Sequence, residues 1–354
     1  MQSQQPGFSK TEATVCRLLL RSIVLPSIFG LLLSGGFAEG QTATVLVGSG
    51  STVPAPLYAR WSQEYGKRNS GIQTRYLSVS TNEGIKQISH GAGDFAAGEA
   101  QLTEKERKED GFVEMPVVLI SIVPIYNLPG VDQELRLSAE VLAGIFLGEI
   151  KMWNAPQIAR LNPNIALPNL AIRVIIRPAG KGSNFVFTDF LSKANSRFRA
   201  QVGVTASPKW PVGTPTERSS DMADNVRNTP GSIGYVEYQY AVKKNIPDAA
   251  VLNSAGNFVK ASPESLAAAC QAVEAPRWNN FSASLTYAGG ANSFPSFTWI
   301  YLQTSSRFSA RRFALHDLLS WIYSDGQRYA TQEGYSELPA PLLAALRKKV
   351  DELE

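Results

Sequence analysis

The sequence predicts an α/β fold, because stretches typical of strands alternate with stretches typical of helices along most of the chain. Three times, an apolar and β-branched run ends in a loop with Gly, Ser or Thr, and a helical pattern begins directly after it. This alternation is typical of parallel or mixed sheets covered by helices on both faces. The length of 354 residues favours two domains, at roughly 150 residues per domain.

The first 38 residues are predicted to be a secretion signal and not part of the fold. Basic residues precede a short apolar run at 23–33, and Gly36 and Ala38 supply the small residues of a cleavage site. The run is shorter than the roughly 20 apolar residues that span a bilayer. We therefore expect export, with a retained N-terminal anchor as the alternative.

The first strand and helix follow the signal. Residues 44–47 are β-branched and apolar, and the loop 48–52 reads Gly-Ser-Gly-Ser-Thr. Tyr58, Trp61 and Tyr65 then recur at spacings of three and four, which predicts the apolar face of a helix.

The same arrangement occurs twice more. Residues 74–79 predict a strand, and Ser80-Thr81-Asn82-Glu83 is a capping box that opens a helix. Further along, residues 172–176 predict a strand, the loop 177–183 carries Arg and Gly, and a helix is predicted over 185–191.

Other segments complete the predicted fold. The apolar runs Val117–Tyr126 and Phe297–Leu302 are long enough to cross between two lobes. The segment 276–296 is rich in Asn, Ser, Gly and Ala and is predicted to be loop. Amphipathic patterns predict helices over 311–323 and 341–350.

Three Gly, Ser and Thr loops that open helices are what an oxyanion site needs. The first turn of a helix has backbone N–H groups without partners, and the helix dipole adds positive charge there. Hydroxyls add adjustable donors, and glycine lets the backbone approach a guest closely. One such loop is weak support, but three of them, one with an arginine, favour an anion-binding site.

Several function classes lack support in the sequence. A formal net charge of +4 without a long basic run gives no sign of nucleic-acid binding. The loop at 180–183 lacks the upstream glycine of a P-loop, since Ile175 stands there. Neither His90 nor His316 lies in a motif for a general base, and no cluster of Cys and His suggests a metal. We expect no cofactor, no metal and no catalysis.

The chain from about residue 44 to 350 resembles the periplasmic phosphate-binding proteins of phosphate ABC importers. That family has the two-lobed class II periplasmic-binding-protein fold, with a hinge and a ligand cleft between the lobes. The matching segments are Gly48–Pro56, Gly84–Ile88, Leu147–Asn154, Ser183–Thr188, Lys209–Gly213 and Pro230–Tyr238.

The resemblance implies a set of ligand-binding residues. They are Ser51, Thr52, Val53, Thr81 and Glu99 on one lobe, and Arg177, Lys181, Gly182 and Ser183 on the other. Glu99 stands where the family has an aspartate that accepts the phosphate proton. Sulfate has no such proton, so an ionised carboxylate discriminates against it. Val53 replaces an aromatic residue that contributes only its N–H.

Two positions depart further from the family. Ala179 stands where an aspartate orients the arginine, and Lys181 stands where a serine donates. We expect Lys181 to contact the anion, to pair with Glu99, or to extend into solvent while only its N–H serves.

The sequence therefore predicts an extracytoplasmic receptor for phosphate that delivers it to the membrane permease of an ABC importer. We expect a monomer that binds no nucleic acid. Lobe one is predicted over 42–119 and 299–354, and lobe two over 120–298. The alternatives are a receptor for sulfate, arsenate or an organophosphate, and a secreted phosphatase.

Overall fold

The computed structural model describes residues 43–271, 284–286, 295–303 and 309–353, and the predicted signal lies outside them. The α/β prediction is confirmed. The strands are β1 (Thr44–Gly50), β2 (Ile72–Ser78), β3 (Phe95–Gly98), β4 (Phe112–Tyr126), β5 (Arg136–Leu137), β6 (Arg173–Ile176), β7 (Thr214–Pro215), β8 (Ser232–Glu237), β9 (Ala250–Leu252), β10 (Phe258–Val259) and β11 (Pro295–Gln303). The helices are α1 (Ala55–Arg68), α2 (Thr81–Ser89), α3 (Glu104–Lys108), α4 (Ala139–Phe146), α5 (Pro156–Ala159), α6 (Gly182–Ala194), α7 (Ser196–Gln201), α8 (Ser219–Asn228), α9 (Tyr238–Lys243), α10 (Pro263–Gln271), α11 (Ser309–Ile322), α12 (Arg328–Gln332) and α13 (Ala340–Asp351).

Eight strands form one mixed sheet in the order β2-β1-β3-β11-β4-β8-β6-β7. Strand β1 is parallel to both β2 and β3, and β6 is parallel to both β8 and β7. The pairs that involve β4 and β11 are antiparallel. A second sheet has the order β10-β9-β5. The carboxyl ends of β1 and β6, where the polar loops begin, therefore belong to different halves of one sheet.

Strand β4 joins those halves. It pairs with β11 from Phe112 to Ser121 and with β8 from Ile122 to Tyr126. All but one of its residues are buried, as expected of a strand covered on both faces. The predicted lobe boundary at 119–120 lies inside β4, and the second predicted crossing lies inside β11. Both boundaries stay predictions.

The first strand is longer than predicted, because the glycine-rich segment is part of β1. Gly48, Ser49 and Gly50 pair with both β2 and β3. A Cβ at Gly50 would lie 2.0 Å from the carbonyl oxygen of Ala97, and its φ is +148°. Glycine thus serves here in a closely packed strand as well as in a turn.

The other elements lie close to their predicted positions. Tyr58, Trp61 and Tyr65 form the buried face of α1, as predicted. Helix α6 begins three residues earlier than predicted. The predicted loop 276–296 lies mainly outside the described residues, and its last two residues belong to β11. Within the described ranges, no helix is both long and apolar enough to cross a membrane.

Candidate functional site

The polar segments that follow β1, β2, β3 and β6 meet in one place. The Arg177 guanidinium Nη2 lies 3.4 Å from the hydroxyl oxygen of Thr52. The Thr81 hydroxyl donates to Glu99 Oε2 over 3.5 Å, and Gly182 lies against both of these residues. The structure therefore brings together groups that are far apart in the sequence, as the interpretation of the loops requires.

The first turn of α6 is the best-placed donor of backbone N–H groups. Its N-cap residue, Lys181, makes no side-chain capping bond. The N–H of Asn184 donates to the carbonyl oxygen of Lys181, and the positive end of the helix dipole lies at Gly182 and Ser183. A Cβ at Gly182 would lie 1.7 Å from Glu99 Oε2 and 2.7 Å from Thr81 Oγ1. Only glycine lets this helix start approach the opposite lobe so closely.

Three buried polar atoms at this point lack a hydrogen-bond partner within the described part of the chain. They are Ser183 Oγ, Glu99 Oε1 and Arg177 Nε, and each residue is 1% exposed. Burying such groups unpaired is costly, so their concentration in one place indicates a polar guest.

Glu99 is the acid of the site. Burial raises its pKa to about 8, although hydrogen bonds from Ser51 and Thr81 and the charge of Arg177 oppose the shift. The nearby Glu237 carboxylate adds to the increase. At neutral pH this carboxyl is therefore mainly protonated, whereas the family resemblance implies an ionised proton acceptor. The acid can donate or accept, depending on pH.

Arg177 follows β6 directly and is held on several sides. Its guanidinium donates to Ser219 Oγ over 2.8 Å and to the carbonyl oxygen of Glu217 over 2.9 Å. Its backbone N–H donates to the Tyr235 hydroxyl. The Tyr235 ring stacks on Phe187 with ring centres 4.2 Å apart. These contacts fix both ends of the arginine.

Hydrogen bonds hold the loop after β1 in place. The N–H of Val53 donates to Ser51 Oγ over 3.1 Å, so this predicted anion donor already has a partner. The carbonyl oxygen of Val53 accepts from the Tyr335 hydroxyl over 2.7 Å. Thr52 is the member of this loop that faces the cleft and Arg177.

Lys181 neither pairs with Glu99 nor extends into solvent, and its contact with the anion stays a prediction. Its ammonium pairs with Glu217 Oε2 at 3.0 Å, and its side chain is 12% exposed. Both residues line a cleft of about 440 Å³ next to the site, which Thr52 and Arg218 also border. A carboxylate from the adjoining loop thus neutralises the added ammonium.

Sequence reasoning missed three residues that contact the site. Glu217 pairs with Lys181, Ser219 binds Arg177, and Glu237 accepts from Ser219. Glu237 lies in the segment Pro230–Tyr238, which the sequence singles out only through the family resemblance. No spacing rule links it to Arg177, because the two are connected through Ser219, which lies on α8.

The arrangement can bind a small oxyanion through amides, hydroxyls and one guanidinium, with one acid to sense a proton on the guest. Across the described ranges, no three His, Cys, Asp or Glu side chains are grouped as metal ligands would be. The fold and this geometry define the class of two-lobed α/β binding proteins.

The chain belongs to the PBP superfamily and, within it, to the family of PstS proteins. The family model of the PBP superfamily domain matches residues 37–325. The phosphate-binding protein PstS of Haemophilus influenzae is 34% identical over 88% of this chain and 93% of its own length. PstS of Pasteurella multocida is 33% identical over 89% and 92%.

Solved structures share the fold at low sequence identity. The phosphate-bound periplasmic protein PfluDING superposes with a TM-score of 0.69 at 17% identity, covering 86% of this chain and 93% of its own. A phosphate-binding protein of Stenotrophomonas maltophilia gives 0.64 at 16% identity, with coverages of 86% and 94%.

Proposed function

We propose that the chain is an extracytoplasmic solute-binding protein that captures inorganic phosphate between its lobes and delivers it to an ABC importer. The observation that carries the proposal is the convergence of the α6 helix start, Arg177, Thr52 and Thr81 on one buried acid, Glu99. The names of the PstS relatives support the same ligand.

Capture would occur in a single step of closure. The anion would accept from Thr52 and Thr81 on lobe one and from Arg177, Gly182 and Ser183 on lobe two. Exclusion of water would strengthen each charge-assisted hydrogen bond. Delivery would follow when the closed form docks on a membrane permease. We further propose a monomer that catalyses no reaction, since the named relatives are binding proteins.

Calorimetry with inorganic phosphate and with sulfate tests this function. The parent protein should bind phosphate, and Arg177→Ala should weaken binding by on the order of 100-fold or more, because two charge-assisted bonds are lost. Arg173→Ala is the matched control, since Arg173 is exposed on β6, the strand that Arg177 follows, and it should retain parental affinity. Absence of phosphate binding by the parent would reject the proposal.

A receptor that also accepts sulfate is the second candidate. The raised pKa of Glu99 favours it, because a protonated carboxyl donates a hydrogen bond to an anion without protons. Sulfate binding as tight as phosphate binding at neutral pH would establish this function in place of phosphate selectivity. A phosphatase would hydrolyse a chromogenic phosphate ester in an Arg177-dependent way, and we expect no turnover.

A further inference from the structure

The guanidinium of Arg177 is buried without a carboxylate bonded directly to it. Its partners within the described ranges are Ser219, the carbonyl oxygen of Glu217 and Thr52. A buried cation that lacks a nearby anion is costly. The position two residues further on, Ala179, offers no charge. The compensating charge must therefore come from elsewhere.

Ser219 connects Arg177 to a buried carboxylate. The serine oxygen accepts from Arg177 Nη1 over 2.8 Å and donates to Glu237 Oε1 over 3.0 Å. Arginine only donates, so Ser219 accepts from Arg177, and its single proton is free to be donated to the Glu237 carboxylate.

Among the described residues, Ser219 is the side chain that hydrogen-bonds to Glu237, and Glu237 Oε2 lacks a partner there. Glu237 is 0% exposed and stands at the end of β8, where it is the N-cap residue of α9 without making a side-chain capping bond. Burial raises the pKa of Glu237, and the charge of Arg177 is the largest effect that opposes the increase. The charge of Arg177 therefore favours the ionised form of Glu237.

We propose that Glu237 is a positioning residue that orients Arg177 through Ser219 and keeps its guanidinium aimed at the bound anion. This inference rests on the proposed function, since it assigns the second carboxylate of the same site. Glu237 thereby supplies from β8 the charge that position 179 lacks.

Phosphate calorimetry on Ser219→Ala, Glu237→Gln and the double variant tests the inference. Each single change should weaken phosphate binding by about 10- to 100-fold, because a charge-assisted bond behind the arginine is lost. Since both act on one chain of contacts, the double variant should bind no more than about threefold weaker than the worse single variant. The serine variant keeps the test open if the glutamate variant folds poorly.

Glu114→Gln is the matched control. Glu114 is also buried and accepts from Arg107 over 2.8 Å, within the first lobe. This change should lower the melting temperature and leave phosphate affinity unchanged, which separates loss of stability from misplacement of Arg177. The role of Glu237 in orienting Arg177 would be overturned by parental affinity in both single variants. Losses that multiply in the double variant would overturn it too, and neither result would affect the proposed function. A parent that does not bind phosphate would overturn both the proposed function and the role of Glu237.

Discussion

The acid of the site leads to a sharp prediction about sulfate. Sulfate carries no proton, so only a protonated Glu99 can donate a hydrogen bond to it. Phosphate carries a proton and can donate a hydrogen bond to an ionised Glu99. Burial raises the pKa of Glu99 to about 8. Sulfate affinity should therefore be nearly constant below that pH and fall above it.

The magnitude follows from the titration of one carboxyl. With a pKa of about 8, roughly nine-tenths of the Glu99 side chains are protonated at pH 7 and roughly one-tenth at pH 9. The apparent dissociation constant for sulfate should rise by about tenfold between these two pH values. Phosphate should show a smaller change, because its own proton replaces that of Glu99.

Calorimetric titration of sulfate at several pH values measures this directly. Glu99→Gln is the control, because its amide donates at every pH and should make sulfate binding independent of pH. Constant parental sulfate affinity from pH 7 to pH 9 would contradict this titration of Glu99. The same slope in the glutamine variant would contradict it as well.

Further expectations concern neighbouring residues. Gly182→Ala should weaken phosphate binding by on the order of tenfold to 100-fold in calorimetry, because its Cβ would overlap Glu99; unchanged affinity would contradict the close approach. Ser183→Ala should cost about tenfold in the same assay through loss of one hydroxyl donor, and parental affinity would exclude that role. Lys181→Ser should change affinity by less than about threefold, since Glu217 already pairs with the ammonium; a larger loss would show direct contact. In thermal melts, the parent should lose stability as pH rises from about 5 to 8, because the folded state holds the Glu99 proton more tightly than the unfolded chain does, and Glu99→Gln should lose less.

Much of the fold could be predicted because its signals are local. The spacing of Tyr58, Trp61 and Tyr65 depends only on the helical repeat, and it gave the buried face of α1 correctly. The polar loops gave the helix starts for the same reason. The predicted end of β1 was wrong, because Gly50 is held in the strand by its contact with Ala97 on a different strand.

Some residues of the candidate site could also be predicted from the sequence, whereas their contacts could not. The loops that open helices indicated an anion site, and the family resemblance named Thr52, Thr81, Arg177 and Gly182 within it. The structure brings these four residues together. The partner of Lys181 could not be predicted. A lysine side chain is flexible, and the carboxylates within its reach are known only from the folded structure. The protonation of Glu99 is likewise a property of burial.

The aromatic packing beneath Arg177 gives the molecule an optical reporter of its own. Tyr235 accepts from the backbone N–H of Arg177, and its ring centre lies 6.1 Å from that of Trp210. An anion that pulls on the arginine should disturb this tyrosine and with it the surroundings of the indole. We expect the intrinsic fluorescence to change when an anion is captured, without any attached dye, and Trp210→Phe to abolish most of that signal.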